Sequence, residues 1–256
     1  LRPPERFTAG LSILSTSREP DRRDIAFLIK LGLVDYGAAL KLQHRLWEMR
    51  IRNEIPDVLL LLEHPPVVTL GKHGKRSNLL LSDEELKHRG MKVYRIERGG
   101  DITFHGPGQL VGYPIYRLEL GLVGIRRFME MVEESLICAL ANLGVQAHVE
   151  PGYIGIWVEK RKIASIGVAV RRMVTFHGFA LNVRTDLSWF GLMNPCGMQV
   201  QMTSVNQEGG KTDDSIVRNE VAKGFEDVFG FVFQRNLPRS LTSLTKGLSR
   251  SAISSA

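Results

Sequence analysis

The sequence predicts a mixed α/β (α+β) fold: a single domain with a mixed sheet flanked by helices. Three observations point there. Short β-branched and aromatic runs recur along the chain, apolar residues repeat at helical spacing in several stretches, and strands and helices mix without strict βαβ alternation. The 256 residues suffice for one substantial core. No apolar run approaches the roughly 18–20 residues needed to cross a bilayer.

The elements follow in order. Residues 1–25 are polar, contain Arg and Pro, and are expected to form a flexible N-terminal segment. They hold no apolar signal-peptide core, and Glu5, Glu19, Asp21 and Asp24 argue against a transit peptide, so the cytoplasm is the expected compartment, or the mitochondrial matrix for a eukaryotic chain. The stretch 35–51, "DYGAALKLQHRLWEMRI", places Ala39, Leu40, Leu42, Leu46 and Trp47 near one helical face. "DVLLLLEHPPVVTLG" reads as two short strands broken at Pro65 and Pro66. In "SDEELKHRG", Ser82 and Glu85 fit a capping box and Gly90 closes a compact helix. "MKVYRIER" and "QLVGYPIY" read as strands entering and leaving a glycine-rich loop. Residues 124–144 give the longest helix, and hairpin-like strands follow in "VQAHVE", "IGIWVE", "KIASIGVAV" and "VTFHGFALNV". A late amphipathic helix occupies "DDSIVRNEVAKGFEDVFG". The folded domain is expected over 26–236, and the Ser-rich stretch 237–256 is expected to be a disordered tail.

Charge and cysteine content narrow the class. A net charge of +7 and a pI near 9.6 suit an acidic partner, whether nucleic acid, an anionic membrane surface or an acidic protein, and equally a generally basic surface. No basic stripe interleaved with aromatics or other nucleic-acid motif is present, so no nucleic-acid partner is expected. Two cysteines make no disulfide framework, and a reducing compartment follows. Cys138 is expected to be a core thiol on the long helix, beside Met131, Leu136, Ile137 and Leu140. No CxxC or HExxH occurs and Glu63, His64 and His73 are poorly spaced for one face, so no metal is expected.

Three stretches carry chemistry. In "RGGDITFHGPGQL" (98–110), five of thirteen residues are Gly or Pro, so the backbone bends sharply and offers N–H groups beside Arg98 and His105. The pattern is neither a P-loop nor a dinucleotide fingerprint, and a tight hairpin capped by a histidine fits it too. In "NPCGM", Cys196 sits on a turn between Pro195 and Gly197, where a partly exposed thiol could act as a nucleophile, although a lone loop cysteine is more often merely buried. Its activating partner could be His105, His177 or Lys162. Lys162 enters the apolar strand "KIASIGVAV", where desolvation lowers an ammonium pKa toward neutrality, whereas a strand-end lysine can also simply snorkel. His177, followed by Gly178, repeats the histidine–glycine theme, and alone reads as a core histidine.

Together, "RGGDITFHGPGQLVGYPI", "GYIGIWVEKRKIASIGVAV", "TFHGFALNV" and "WFGLMNPCGM" resemble the lipoyl(octanoyl) transferases, the octanoyl-carrier-protein:protein octanoyltransferases of lipoate biosynthesis. The likeness covers roughly residues 30–235, with Phe179 where the family commonly has a smaller aliphatic residue. It implies a fold similar to the biotin/lipoate protein ligase catalytic domain and makes 26–236 the octanoyltransferase catalytic domain. It further implies transfer of an octanoyl or lipoyl group from acyl carrier protein to a specific lysine of lipoyl domains, the first step of endogenous protein lipoylation. The acceptors implied are the E2 subunits of 2-oxoacid dehydrogenases and the H protein of glycine cleavage. Cys196 would be the acyl-thioester nucleophile and Lys162 the group that lowers its pKa. Arg98, Gly99, Gly100, Asp101, Ile102, Thr103, Phe104 and His105 would line the acyl pocket, completed by Ser165, Ile166, Gly167, Gly178, Phe179 and Ala180. No ATP, metal or other cofactor is implied, because the acyl group arrives on the phosphopantetheine of the carrier, and no membrane is involved. An ATP-dependent lipoate or biotin ligase on the same fold is the nearest rival. It would carry an adenylation loop such as GRGRxG and would need no cysteine. A non-catalytic, nucleic-acid-binding scaffold is the more distant one.

Overall fold

In a computed structural model, residues 25–118, 121–194 and 200–248 are described. The expected flexible segment therefore falls, but for Ile25, outside the described residues. The strands are β1 (Ile25–Leu33), β2 (Asp57–Glu63), β3 (Val67–Leu70), β4 (Lys92–Arg95), β5 (Ile102–His105), β6 (Gln109–Ile115), β7 (His148–Glu150), β8 (Tyr153–Val158), β9 (Arg161–Arg171), β10 (Val174–Asn182) and β11 (Val232–Gln234). The helices are α1 (Tyr36–Ile51), α2 (Asp83–His88), α3 (Gly121–Asn142), α4 (Asp214–Phe229) and α5 (Arg239–Thr245). Eight strands form one mixed sheet in the order β11-β1-β2-β6-β10-β9-β8-β7, and a smaller sheet runs β4-β3-β5. Only β1 with its two neighbours, and β3 with β4, pair in parallel; the rest is antiparallel, as the hairpin-rich second half predicts.

Both faces of the large sheet are covered. Helices α3 and α4 bury one face through Val132, Leu136, Leu140, Val217, Val221 and Phe225, which meet Leu59, Leu61, Phe179 and Leu181 of the strands. On the other face, Ala39, Leu42, Leu46 and Met49 of α1 pack against Leu60, Leu62, Val111 and Ala180. Leu40 and Trp47 lie at the margin of that stripe, half-buried. The helix ends follow local chemistry. Asp35 accepts from Ala38 N to cap α1, Ser82 and Glu85 form the reciprocal box on α2, and Gly230 ends α4 at φ 74°. Among the described residues no helix is long and apolar enough to cross a membrane.

Two expectations are corrected. Cys138 is exposed rather than a core thiol. The buried stripe of α3 runs through Val132, Leu136, Ala139, Leu140 and Leu143, and Cys138 stands on the far side of the helix from it. The stretch 237–256 is not wholly a disordered tail, because α5 forms within it and Leu241 is fully buried in the α1-side core, with Leu237, Leu244 and Leu248 packed around it. Leucines at 237, 241, 244 and 248 trace one helical face, which outweighs the serines between them.

Candidate active site

A cavity of about 580 Å³ opens between the α1-side face of the large sheet and the glycine-rich loop that crosses it. It gathers nearly all the predicted residues. Arg98, Gly99, Gly100, Asp101, Ile102, Thr103 and His105 line it from the loop and β5, and Lys162, Ser165, Ile166, Gly167, Gly178, Phe179 and Ala180 line it from β9 and β10. Phe104 is the exception and is corrected here. It turns into the small-sheet core, stacked on Trp189 at 5.3 Å, because alternation along β5 sends it to the opposite side from Thr103 and His105. Cys196 lies outside the described residues. On either side of it, Asn194 and Val200 both stand on the cavity wall. The wall also uses residues with no local signature in sequence, among them Tyr36, Tyr113 and Trp157, which reach the cavity from three distant elements.

Lys162 owes its place to a bulge. In the β8–β9 ladder, Ile156 pairs with Ala164 but Trp157 pairs with Lys162, so Ile163 is an extra residue. Strict alternation would send Lys162 to the helix-covered face with Ala164 and Val168; the bulge returns it to the cavity side with Ser165 and Gly167. Gly155 makes room for the stem, since a Cβ there would stand 2.5 Å from Lys162 Cε. The ammonium donates to Ile154 O at 2.7 Å and lies 5.3 Å from the centre of the Trp157 ring. Burial lowers its pKa to about 8, with Glu133 pulling modestly the other way. The backbone of Lys162 is also tied to the chain that leaves the 195–199 stretch. Its N–H donates to Gln201 O at 2.8 Å, and its carbonyl accepts from Thr203 N at 2.9 Å.

A buried polar chain runs from the loop to this same segment. His105 is buried, and burial holds its pKa down at about 3, so the ring is neutral. Gln109 Nε2 donates to Asn182 Oδ1 at 3.0 Å and to Phe104 O at 3.3 Å, which leaves Gln109 Oε1 to accept from His105 Nδ1 at 2.8 Å. His105 Nε2 is then an acceptor facing Thr69 Oγ1 at 3.4 Å, and that hydroxyl accepts from Arg98 at 2.9 Å. Asn182 Nδ2 donates onward to Thr203 O at 3.0 Å. Each link fixes the orientation of the next.

His177 breaks the pattern of its strand. Neighbours Phe179 and Leu181 face α3 and α4, yet His177 adopts φ 58° and lines the cavity instead. The His177 N–H donates to Gln43 Oε1 of α1 at 3.0 Å, which holds this turned backbone in place. Gly178 must then be glycine, because a Cβ there would lie 2.1 Å from Gly112 O and 2.6 Å from Pro114 Cδ. The His177 ring is neutral, lowered by burial to about 4, with Nε2 3.5 Å from Glu97 and no hydrogen-bond partner at Nδ1. Among the described residues no three His, Cys, Asp or Glu side chains converge to hold a metal ion.

Comparison with known proteins agrees with this geometry. Residues 35–229 match the family model described as lipoyl protein ligase A/B catalytic domain. An octanoyltransferase of Caldicellulosiruptor bescii is 45% identical over 210 residues, which are 81% of this chain and 91% of that one. An octanoyltransferase of Acidobacterium capsulatum is 44% identical over 221 residues, 79% of this chain and 89% of the relative. Among solved structures, a bipartite lipoate protein ligase of Thermoplasma acidophilum superposes with a TM-score of 0.67 at 18% identity, covering 88% of this chain and 92% of its own. A lipoate-protein ligase A bound with ATP gives 0.67 at 17% identity, over 91% and 97%. At such identities these two speak for the fold. The family match and the octanoyltransferase relatives go further: this chain is an acyltransferase of protein lipoylation and belongs to the lipoyl protein ligase A/B catalytic domain family.

Proposed function

We propose that the chain moves an octanoyl or lipoyl group from acyl carrier protein to a lysine of a lipoyl domain, through a thioester on Cys196. The observation that carries this reading is the lysine of lowered pKa, bulged onto the wall of an acyl-sized cavity and hydrogen-bonded to the segment that follows the cysteine's stretch. The Cys196 thiol gives its proton to neutral Lys162 and its sulfur attacks the acyl carbonyl. The bond to the carrier's phosphopantetheine sulfur breaks, and that sulfur takes the proton from Lys162. In the second half, the neutral amine of the acceptor lysine attacks the enzyme thioester. Lys162 or solvent removes the extra proton, the amide forms and Cys196 leaves as thiolate. Thioester exchange is nearly neutral and amide formation is downhill, so no nucleotide enters the balance.

A lysine near 8 suits both steps, because an appreciable neutral fraction exists at pH 7 and its conjugate acid is strong enough to protonate a leaving thiolate. The acyl chain would rest on the flat floor that Gly167, Gly178 and Ala180 leave on the sheet, under Arg98–Gly100. The test is intact-mass analysis of the protein after incubation with octanoyl-carrier protein and no nucleotide. An octanoyl adduct that vanishes in Cys196→Ala and is discharged by a lipoyl domain is the expected result. Full transfer by Cys196→Ala, or a requirement for ATP and free octanoate, would defeat the reading.

A further inference from the structure

We infer that the loop at residues 72–75, with the apolar lip beside it, is the seat of the acyl donor, an acidic protein bearing the chain on a phosphorylated thioester arm. This rests on the function proposed above and locates one of its two protein substrates. Residues 71–95 carry seven Lys and Arg against three Asp and Glu, a net +4 of the chain's +7. Within that segment, Lys72, His73 and Lys75 are exposed, and among the described residues neither lysine is engaged by a carboxylate. Arg76 and Lys92 are already paired, with Asp83 at 2.6 Å and with Asp35 at 3.2 Å.

The loop is built into the cavity rim. Lys72 N donates to Arg98 O at 3.0 Å and His73 N to Gly100 O at 3.2 Å, so the basic turn lies directly against the glycine-rich wall. Leu80, Tyr153 and Ile154 also line this cavity while remaining 61%, 45% and 59% exposed. Exposed apolar groups clustered at a cavity mouth mark a contact surface. A basic turn, exposed apolar groups and a cavity, all joined at one wall, match the three parts of the donor. Its acidic body would meet the lysines, its arm would cross the lip, and its acyl chain would enter. An acceptor lysine reaches less far than a pantetheine arm, so its carrier must sit over the mouth itself, whereas the longer donor arm lets the donor's body rest on the flanking lysines. Complementary charge at such a rim acts mainly on the rate of encounter and on partner choice.

The experiment uses the full chain as Lys72→Glu/Lys75→Glu, with Lys72→Ala/Lys75→Ala as the milder variant, both checked for wild-type thermal unfolding. Transfer is measured from octanoyl-carrier protein and from octanoyl-pantetheine, which lacks both protein and phosphate. The expected result is a tenfold or greater rise in KM for octanoyl-carrier protein, a flatter dependence on salt, and kcat within twofold. Rates with octanoyl-pantetheine and the KM for the lipoyl domain should not change. Unchanged KM for the carrier would overturn the proposal, as would equal loss with both donors or a loss confined to the acceptor. Wild-type protein that accepts octanoyl from neither donor would instead overturn the function on which it rests.

Discussion

Replacing Lys162 by methionine should make the protein more stable and nearly inactive, with a stability gain that depends on pH in a defined direction. The native pKa of Lys162 is about 8, against 10.5 when unperturbed. Below pH 8 both native and unfolded states hold the proton, and the native state bears the desolvation of the ammonium. The gap of about 2.5 pH units corresponds to at most ~3.4 kcal/mol. The side chain is only partly buried and its ammonium keeps a bond to Ile154 O, so a gain of about 1–2 kcal/mol is expected for Lys162→Met near pH 6.5. Between pH 8 and 10.5 the native lysine has released its proton while the unfolded one still holds it. Wild-type stability therefore rises with pH across that window, and its deficit relative to the variant closes. Urea unfolding of both proteins at pH 6.5 and pH 10 measures this, and the difference between them cancels other titrating groups. Turnover of Lys162→Met should fall about 10²-fold or more, the usual scale for a lost acid–base group. A variant less stable than wild type at pH 6.5, or a difference that does not narrow by pH 10, would show that Lys162 is a structural cation rather than a desolvated acid–base group.

Other sites give sharper yes-or-no outcomes. Cys138→Ala should retain full transfer and the octanoyl adduct by mass, since Cys138 lies on the exposed side of α3; loss of either would implicate the wrong thiol in the proposed mechanism. Gly167→Ala brings a Cβ to 3.1 Å from Gly99 O and 3.2 Å from Arg98 Cδ, so the loop must yield by tenths of an ångström. It should fold normally but raise the KM for octanoyl donors several-fold in steady-state assays. Leu241→Ala should cost about 2–4 kcal/mol in denaturant unfolding if α5 is docked as described, and under 0.5 kcal/mol if residues 237–248 were a loose tail. Asn182→Ala strands Thr203 O and one Gln109 donor contact, for about 1–3 kcal/mol of stability. It should also lower kcat with little change in KM, and an unaltered kcat would separate the polar chain from the chemistry.

Much of this was legible because it is local. The Ser82–Glu85 box, the glycines of the 98–108 loop and the apolar spacing of α1, α3 and α4 each state a backbone requirement within a few residues. The lining of the candidate cavity came instead from the family resemblance, which rests on short contiguous runs with Gly where backbones approach. The failures share a different cause. The spacing of Met131, Leu136, Ile137 and Leu140 suggests a buried face near Cys138, but the buried stripe runs through Val132, Leu136, Ala139 and Leu140 on the other side. Motif membership places Phe104 where strand parity does not. In residues 237–256 the serines drew attention from a leucine stripe of helical spacing. Tyr36 and Tyr113 reach the cavity from separate elements, and nothing near either one in sequence announces the other.

The least legible features are the two departures from regular strand geometry, and the site depends on both. Counting alternate residues along β9 puts Lys162 in the wrong core, and the same count along β10 does so for His177. Each is rescued by one local irregularity, the extra residue at Ile163 and the left-handed turn at His177. Neither irregularity follows from its own strand's propensities. The first needs Gly155 on the neighbouring strand to vacate space for the lysine stem. The second needs Gln43 of α1 to accept the His177 N–H, and a glycine at 178 to clear Gly112 O and Pro114 Cδ of β6. A bulge or an αL residue costs on the order of 1–2 kcal/mol where nothing compensates. Here the compensation is distributed over three elements, β8, β6 and α1. That arrangement makes the cavity face of a flat sheet carry a desolvated amine and a neutral imidazole beside a glycine floor. Regular strands of the same composition would bury both groups under the helices.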